Sequence, residues 1–382
     1  MSLGYADRLS HREDLGGRLG DPELFEAPHI VLDKSKELAE LIRDAAKVVV
    51  FTGAGISTAA GIPDFRGPQG VWTLQRKGLP LPKLHTSFVY AKPSLTHQAL
   101  LGLMQSGKLQ YICSQNVDSL HLRSGVPRSQ LAELHGNCFA ERCKKCKAEY
   151  VRDFEMDTVG FKQTGRRCSK PGCRGMLVDH ILDWEDALPP AELKATEQHA
   201  AGAGLSLCLG TSLQIIPAAN LPLRTVRTGG KLAIVNLQAT PKDKKAHCVV
   251  HAHVDEVMSV IMEQLGIPIP VYTRTDRVQL SGNSWSFTLS ISSLHGLSCP
   301  LPMVASASVS FLGDAAQAGL KSRQLSGQLP WRLTRRCPAG LQQVQLQVQF
   351  ALVEAADEGR RSASVSARRR RWALGADGLW GV

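Results

Sequence analysis

Residues Lys47–Gly61, KVVVFTGAGISTAAG, constrain the fold more than any other stretch of the chain. An apolar run from Val48 to Phe51 stops at Thr52-Gly53-Ala54-Gly55, and a helix-compatible run of small residues follows. Strand, Gly-x-Gly, helix is the order of a phosphate-binding turn. Its glycines let backbone N–H groups approach an anion, and a helix N-terminus adds its positive dipole end. Alone, Gly-x-Gly reads first as an ordinary tight strand–helix turn. The spacing also departs from the dinucleotide fingerprint: the third glycine is Gly61, and no acidic residue about 20 positions on stands ready to hold a ribose. The choice between these readings falls to the rest of the chain.

Leu109–Ser114 reads as a second strand and ends in Gln115-Asn116-Val117-Asp118. Leu205–Gly210 is a third, ending in Thr211-Ser212, and Lys231–Val235 a fourth, ending in Asn236-Leu237-Gln238. Apolar residues recur at helical spacing over Ser35–Ala46, Thr96–Gln105 and Val257–Leu265. Strands alternating with helices predict an α/β fold, a doubly wound parallel (Rossmann-like) sheet. Such sheets bind ligands outside the carboxyl ends of their strands, so the four polar tips should share one crevice. The Pro- and Gly-rich segment Gly61–Trp72 reads as a loop carrying Asp64-Phe65-Arg66.

The N-terminus has no apolar stretch of the signal-peptide kind, and no apolar run reaches the roughly 18 residues that span a membrane. An intracellular chain with 10 cysteines points to metal or buried thiols before disulfides. Cys143-x-x-Cys146 and Cys168-x-x-x-x-Cys173 flank a Lys/Arg-rich segment. Two such pairs can complete a closed, structural tetrahedral Zn²⁺ site, one per chain. Cys138 is out of spacing, and Cys113, Cys208 and Cys248 lie in apolar, core-like context. His135 follows what reads as a helix end (Ser129–Leu134) and precedes Gly136-Asn137. That places it on a loop near the ligand edge, where a neutral imidazole can act as a base near pH 7. His121, His247, His251 and His253 lack such context and read as surface residues.

In this order, GAGIST (Gly53–Thr58), GIPDFRG (Gly61–Gly67), QNVD (Gln115–Asp118), LHGN (Leu134–Asn137), the cysteine pairs, GTSL (Gly210–Leu213) and IVNLQ (Ile234–Gln238) resemble the sirtuins over about residues 30–272. The first two motifs, with ILDWEDALP (Ile181–Pro189), are most similar to the chromatin-associated sirtuin 6 branch. The resemblance implies an NAD⁺-dependent protein lysine deacylase: the acyl oxygen attacks the nicotinamide ribose, nicotinamide leaves, and the acyl group ends on ADP-ribose. It also implies roles. His135 is the general base, with Asn116 and Asp118 catalytic beside it. Ala54 and Thr58 hold the pyrophosphate side, and Phe65 and Arg66 cover the ribose and keep out water. Trp72 lies near the cofactor, and Gln115 lines the nicotinamide pocket. Gly210, Ser212, Asn236, Gln238 and Val254 hold the adenosine half. One departure stands out. Asp183-Trp184-Glu185 replaces the family's Phe-Gly-Glu, which grips acyl-lysine, so longer acyl chains or ADP-ribosyl transfer become plausible. A mono-ADP-ribosyltransferase on the same site and a chromatin- or DNA-binding module with incidental catalysis are the competing readings.

The expected organisation is an irregular N-terminal arm (1–30), a Rossmann-like domain (31–136 and 179–272), a zinc module (137–178), a small β module (283–355) and a basic, disordered tail (356–382). Alternation at Trp285, Phe287, Leu289 and Ile291 and from Val344 to Leu352, with Ala305–Phe311, supports the β module. Ser292–Phe311 resembles the extension of plant and algal members of the same branch. The net charge of +11 and the Arg368–Arg371 cluster point to phosphate-rich partners and nuclear import. The expected partners are therefore acylated histone substrates and chromatin or nucleic acid, with no membrane, in the nucleus.

Overall fold

The computed structural model describes residues 2–12, 14–81, 87–274, 278–281, 286–297, 299–312, 316, 319–336 and 345–353. In chain order the strands of the first compact unit are β1 (Val48–Thr52), β2 (Leu109–Ser114), β3 (Leu131–Glu133), β4 (Gly136–Cys143), β5 (Glu149–Val151), β6 (Gln163–Arg167), β7 (Met176–Ile181), β8 (Leu205–Leu209), β9 (Lys231–Val235) and β10 (Cys248–Val250).

Six of these strands form one parallel sheet in the order β10-β9-β8-β1-β2-β3. The chain starts in the middle, builds to one edge, returns and builds to the other. That is the doubly wound order, with its switch point between β1 and β8. Period two explains why these strands read as unbroken apolar runs. Val48 and Val50 enter one core, where Leu38 and Ile42 of helix Pro28–Asp44, Leu100 and Leu103 of helix Leu95–Gln105, and Val257 and Ile261 of helix Val254–Leu265 await them. Val49 and Phe51 enter the other, against Ala200 of helix Pro190–Ala201 and Leu223 of helix Leu223–Arg227. A strand covered on both faces has no polar alternation to show.

The expected doubly wound sheet is present, with several local corrections. It has six strands where four were read. β3 and β10 are three residues long, too short to carry a periodic signal. Ser129–Leu134 is a 3₁₀ turn (Arg128–Gln130) and then β3, because pairing of Leu131 with Ile112 overrides local helix preference. The run after Gly55 forms two 3₁₀ turns, Ala54–Ile56 and Thr58–Ala60, and no α-helix. Gly61, at φ 81°, ends them in the left-handed region. The N-terminal arm is not wholly irregular: Ser2–Arg8 is helical, and the next helix starts at Pro28, seven residues before the expected Ser35.

The remaining strands of this unit form a four-stranded sheet, β5-β4-β7-β6, around the cysteine pairs. The described residues beyond 274, with Arg152–Phe154, make up a second compact unit. Its strands are β11 (Val278–Ser281), β12 (Ser286–Ser293), β13 (Val304–Leu312), β14 (Arg323–Ser326), β15 (Trp331–Arg336) and β16 (Gln345–Leu352). They form two antiparallel three-stranded sheets, β11-β12-β15 and β14-β13-β16. Leu289, Ile291, Val309, Trp331, Leu333 and Val348 form their buried core, as the alternation of Leu289 and Ile291 foretold. Trp285, Val344 and the basic tail 356–382 lie outside the described residues.

Candidate active site

The switch point creates a crevice because the tips of β1 and β8 diverge there. Before they part, three glycines interlock. A methyl group on Gly53 would lie 2.7 Å from Gly210 O, and one on Gly55 would lie 2.8 Å from Gly210 Cα. Gly210, at φ 57°, would push its own methyl to 2.6 Å from Ile56 N. The N–H groups of Gly53 and Gly55 donate to Leu209 O and Gly210 O. These glycines therefore serve close backbone packing, the ordinary tight-turn reading of the stretch.

A cleft of about 140 Å³ opens beside them. Of the residues singled out from sequence, Ala54, Phe65, Arg66, Trp72, Gln115, Asn116, Asp118, His135, Gly210, Ser212, Asn236 and Gln238 line it. Thr58 and Val254 do not. Thr58 is exposed and donates back to Gly55 O, and Val254 is buried at the start of its helix. The lining also includes residues that sequence reasoning missed. Ser57 donates its hydroxyl to Asp118 Oδ2 at 2.7 Å, while Leu120 N–H holds Oδ1 at 2.9 Å. Asn116 Nδ2 reaches Gly53 O at 3.0 Å. Asp64 is pushed up to about 6 by burial, against the pull of the Gly67 N–H.

His135 is half-buried at the far wall. Its Nδ1 lies 3.1 Å from Gln115 O, and a carbonyl only accepts, so Nδ1 carries the proton and Nε2 the free lone pair. Burial lowers the imidazole's pKa, partly offset by that carbonyl. The ring is neutral at pH 7 and able to take a proton.

Aromatic rings cover the cleft mouth. Phe65 and Trp72 centroids lie 4.6 Å apart, Trp72 and Trp184 5.0 Å, and Tyr5, from the N-terminal helix, meets Phe65 edge-on at 6.1 Å. Trp184 belongs to the Asp183-Trp184-Glu185 departure. Asp183 is tied to the arm by Ser10, whose N–H and hydroxyl both donate to it. Arg66 donates to Leu15 O and Gly16 O and stacks 5.0 Å over Trp72. Gln238 donates to Asp21 O. The arm thus adds Tyr5 to the cleft lining and anchors Arg66 and Gln238, a role its polar, Gly-rich sequence did not announce.

His121 is buried, not on the surface as expected. Its Nε2 meets Thr52 Oγ1 at 2.9 Å, and its ring packs, tilted by 56°, 4.8 Å from that of buried His97, whose Nδ1 accepts from Ser94 N–H. Burial drives both imidazoles down to about 3. A histidine in the unfolded chain titrates near 6.5. The folded state therefore binds fewer protons between those values, and stability is lost as pH falls below about 6.5. At pH 5 each ring costs on the order of 2 kcal/mol. The melting temperature should drop steeply between pH 7 and pH 5, and less steeply in His121→Gln. Equal slopes for parent and variant would remove His121 from this account.

The cysteine quartet is assembled. Sγ atoms of Cys143, Cys146, Cys168 and Cys173 all lie within 4.8 Å of one another, with 143–173 and 146–168 at 3.6 Å. Four sulfurs about 2.3 Å from Zn²⁺ stand about 3.8 Å apart, so the set fits a tetrahedral ion. Two tight turns present the thiols. Lys147 (φ 61°) and Arg174 (φ 47°) adopt left-handed backbone, and a methyl on Gly175 would strike Cys143 Sγ at 2.6 Å. The Cys146 N–H pulls Cys143 down to about 6, whereas burial pushes the core thiol Cys113 up to about 12.

A parallel sheet with this strand order, a lined switch-point crevice and an appended four-thiol lobe defines a dinucleotide-binding α/β protein. The family model described as "Sir2 family" matches residues 81–217. The rice (Oryza sativa subsp. indica) protein named NAD-dependent protein deacetylase SRT1 is 56% identical over 317 residues, spanning 81% of this chain and 65% of its own length. Its Arabidopsis thaliana namesake is 54% identical over 319 residues, spanning 81% and 67%. NAD-dependent protein deacetylase Sirt6 of Drosophila melanogaster is 45% identical over 302 residues, spanning 77% of this chain and 95% of its own length. The chain belongs to the Sir2 family, the sirtuins.

Proposed function

We propose that the crevice binds NAD and that the protein moves acyl groups from protein lysines onto the ADP-ribose part of that cosubstrate, with release of nicotinamide. One observation carries this reading: His135, whose Nε2 keeps the free lone pair, lines the same cleft as Asn116, Asp118 and the glycine-packed strand tips. NAD, when bound, supplies a ribose carbon with nicotinamide as its leaving group. His135 takes a proton from a ribose hydroxyl. Asn116 and Asp118, fixed by Gly53 O, Ser57 and Leu120 N–H, shape the nicotinamide end. Phe65, packed between Tyr5 and Trp72, excludes water. Ala54 and Gln115 flank the centre, while Gly210, Ser212, Asn236 and Gln238 hold the adenosine half. Cys143, Cys146, Cys168 and Cys173 hold one structural zinc. The relatives' names support the activity. The basic charge supports histone or other chromatin substrates and a nuclear site of action.

Mass spectrometry of the purified protein with NAD⁺ and histone peptides bearing acetyl- or myristoyl-lysine tests this directly. Acyl-ADP-ribose is the expected product, and the ratio of the two substrates names the preferred chain. ADP-ribosylated protein without acyl-ADP-ribose would transfer the site to the ADP-ribosyltransferase reading. Intact NAD⁺ would end both.

A further inference from the structure

His135 sits between two buried polar residues that are bonded to each other. The chain leaves β3 at Glu133, turns through Leu134-His135-Gly136 and enters β4. The turn admits only glycine at its tip: Gly136 has φ 88°, and a methyl there would lie 2.1 Å from His180 O. Across it, Asn137 Nδ2 donates to Glu133 Oε1 at 2.8 Å, closing a side-chain clasp around the histidine. The same Nδ2 lies 3.3 Å from the hydroxyl of Ser119, next in sequence to Asp118, and Asn137 Oδ1 accepts from Phe139 N–H at 2.8 Å.

We propose that Glu133 and Asn137 are positioning residues for His135, setting its ring against Gln115 O and fixing its loop relative to the one that carries Asp118. The proposal rests on the deacylase reading of the cleft. The ring itself is held by one bond, from Nδ1–H to Gln115 O. Leu134 N–H to Ser114 O and Leu182 N–H to His135 O fix the height of the backbone. The angle of the His135 side chain depends on how tightly residues 133 and 137 are drawn together. A carboxyl here is costly, since Glu133 is buried among Glu192, Glu149 and the guanidinium of Arg128. Burial pushes it up to about 8, so it is held near neutrality. A residue kept at such cost for packing alone could be replaced by an apolar one. The bond to Asn137 gives the carboxyl its use. Displacing a catalytic group by about 1 Å can cost about 100-fold in rate.

The test compares Asn137→Ala, Glu133→Leu and Glu133→Gln with the parent in two readouts. The first is ¹⁵N NMR of the His135 ring. The parent should show one neutral tautomer, protonated at Nδ1. Asn137→Ala and Glu133→Leu should show a mixture, and Glu133→Gln, whose amide oxygen still accepts, should show one. The second is steady-state transfer from an acylated peptide. The first two variants should lose about 10- to 100-fold in kcat with little change in the Kd for NAD⁺, and Glu133→Gln should stay within about threefold. A single Nδ1–H tautomer and parental kcat in both disruptive variants would overturn the proposal. So would equal losses in all three, because a packing role gains nothing from the amide. Should a disruptive variant fail to fold, Ser119→Gly tests the Asp118 side alone. Its φ of 64° suits glycine, and a smaller kcat loss is expected, whereas none would sever that arm of the network. If the parent itself transfers no acyl group, the function falls, while the NMR comparison still decides the positioning.

Discussion

Replacing His135 with alanine should lower acyl transfer by about 100- to 10,000-fold, the range a positioned general base contributes. NAD⁺ still binds, because the strand tips and the Asp118 cluster do not depend on the imidazole. The pH profile gives the more specific signature. Burial lowers the pKa of His135 below the ordinary 6.5, and the Gln115 carbonyl opposes that shift. A base works when deprotonated, so a lowered pKa keeps it competent at pH 7 and extends its range toward acid. In the parent, kcat/KM should hold from neutrality down past pH 6.5 and then fall. In His135→Ala, the residual rate should show no such acid limb. The same shift opposes folding at low pH, since the buried ring is favoured neutral and stability declines as pH drops through 6.5. Assays must therefore be paired with circular dichroism at each pH. A His135→Ala protein that keeps both the rate and the acid limb would place the base elsewhere, and Asp64, pushed up to about 6 in the same cleft, would be examined next.

The site was legible where chemistry repeats at a strand tip and illegible where it depends on a distant segment. The strands at 109–114 and 231–235 and their polar ends could be read because apolar runs stop abruptly at small polar residues. His135 was found from its position before Gly136, although its turn follows a strand and not a helix. Ser57 was hidden among small residues that looked like helix filler, and only the Asp118 carboxylate across the sheet reveals it. Tyr5 and the backbone around Leu15 and Asp21 carry no motif. Their function is to be on the cleft rim, and that is set by hydrogen bonds to Arg66 and Gln238 far along the chain. His121 was misread because nothing in LHLRS shows that its helix faces Thr52 and His97. The glycines were located from the sequence, but their packing role was not visible there. Their spacing is that of an anion-binding turn, yet the overlap they avoid is with Gly210, more than 150 residues away.

Removing zinc, by chelation or by Cys173→Ser, should unfold the cysteine lobe and have the largest effect on stability of any change considered. Phe139, Met156 and Val159 are buried elsewhere in the lobe, but little besides the metal would hold the part around the thiols. β5 and β6 are largely solvated, and the only residues fully buried in its cluster are Cys143, Cys168 and Leu177. Structural zinc sites in isolated fingers contribute about 10–16 kcal/mol of apparent binding energy, which is also folding energy. A cluster this small cannot replace that with apolar burial. The sulfurs are already ordered for the ion: Tyr150 brings its hydroxyl to 3.0 Å from Cys168 Sγ and accepts the N–H groups of Ser169 and Lys170. Metal analysis should find one zinc per chain. On chelation, the four lobe thiols should become reactive to a thiol reagent, while Cys113, Cys208 and Cys248, buried in the parallel sheet, stay protected until global unfolding. The loss should reach the cleft, because β4 joins the His135 turn at one end and Cys143 at the other. Acyl transfer should therefore fall together with thiol exposure, before the parallel sheet melts. A zinc-free protein that keeps its thiols protected and its rate intact would show that the quartet packs without metal, and that the cleft is held by the sheet and the N-terminal arm alone.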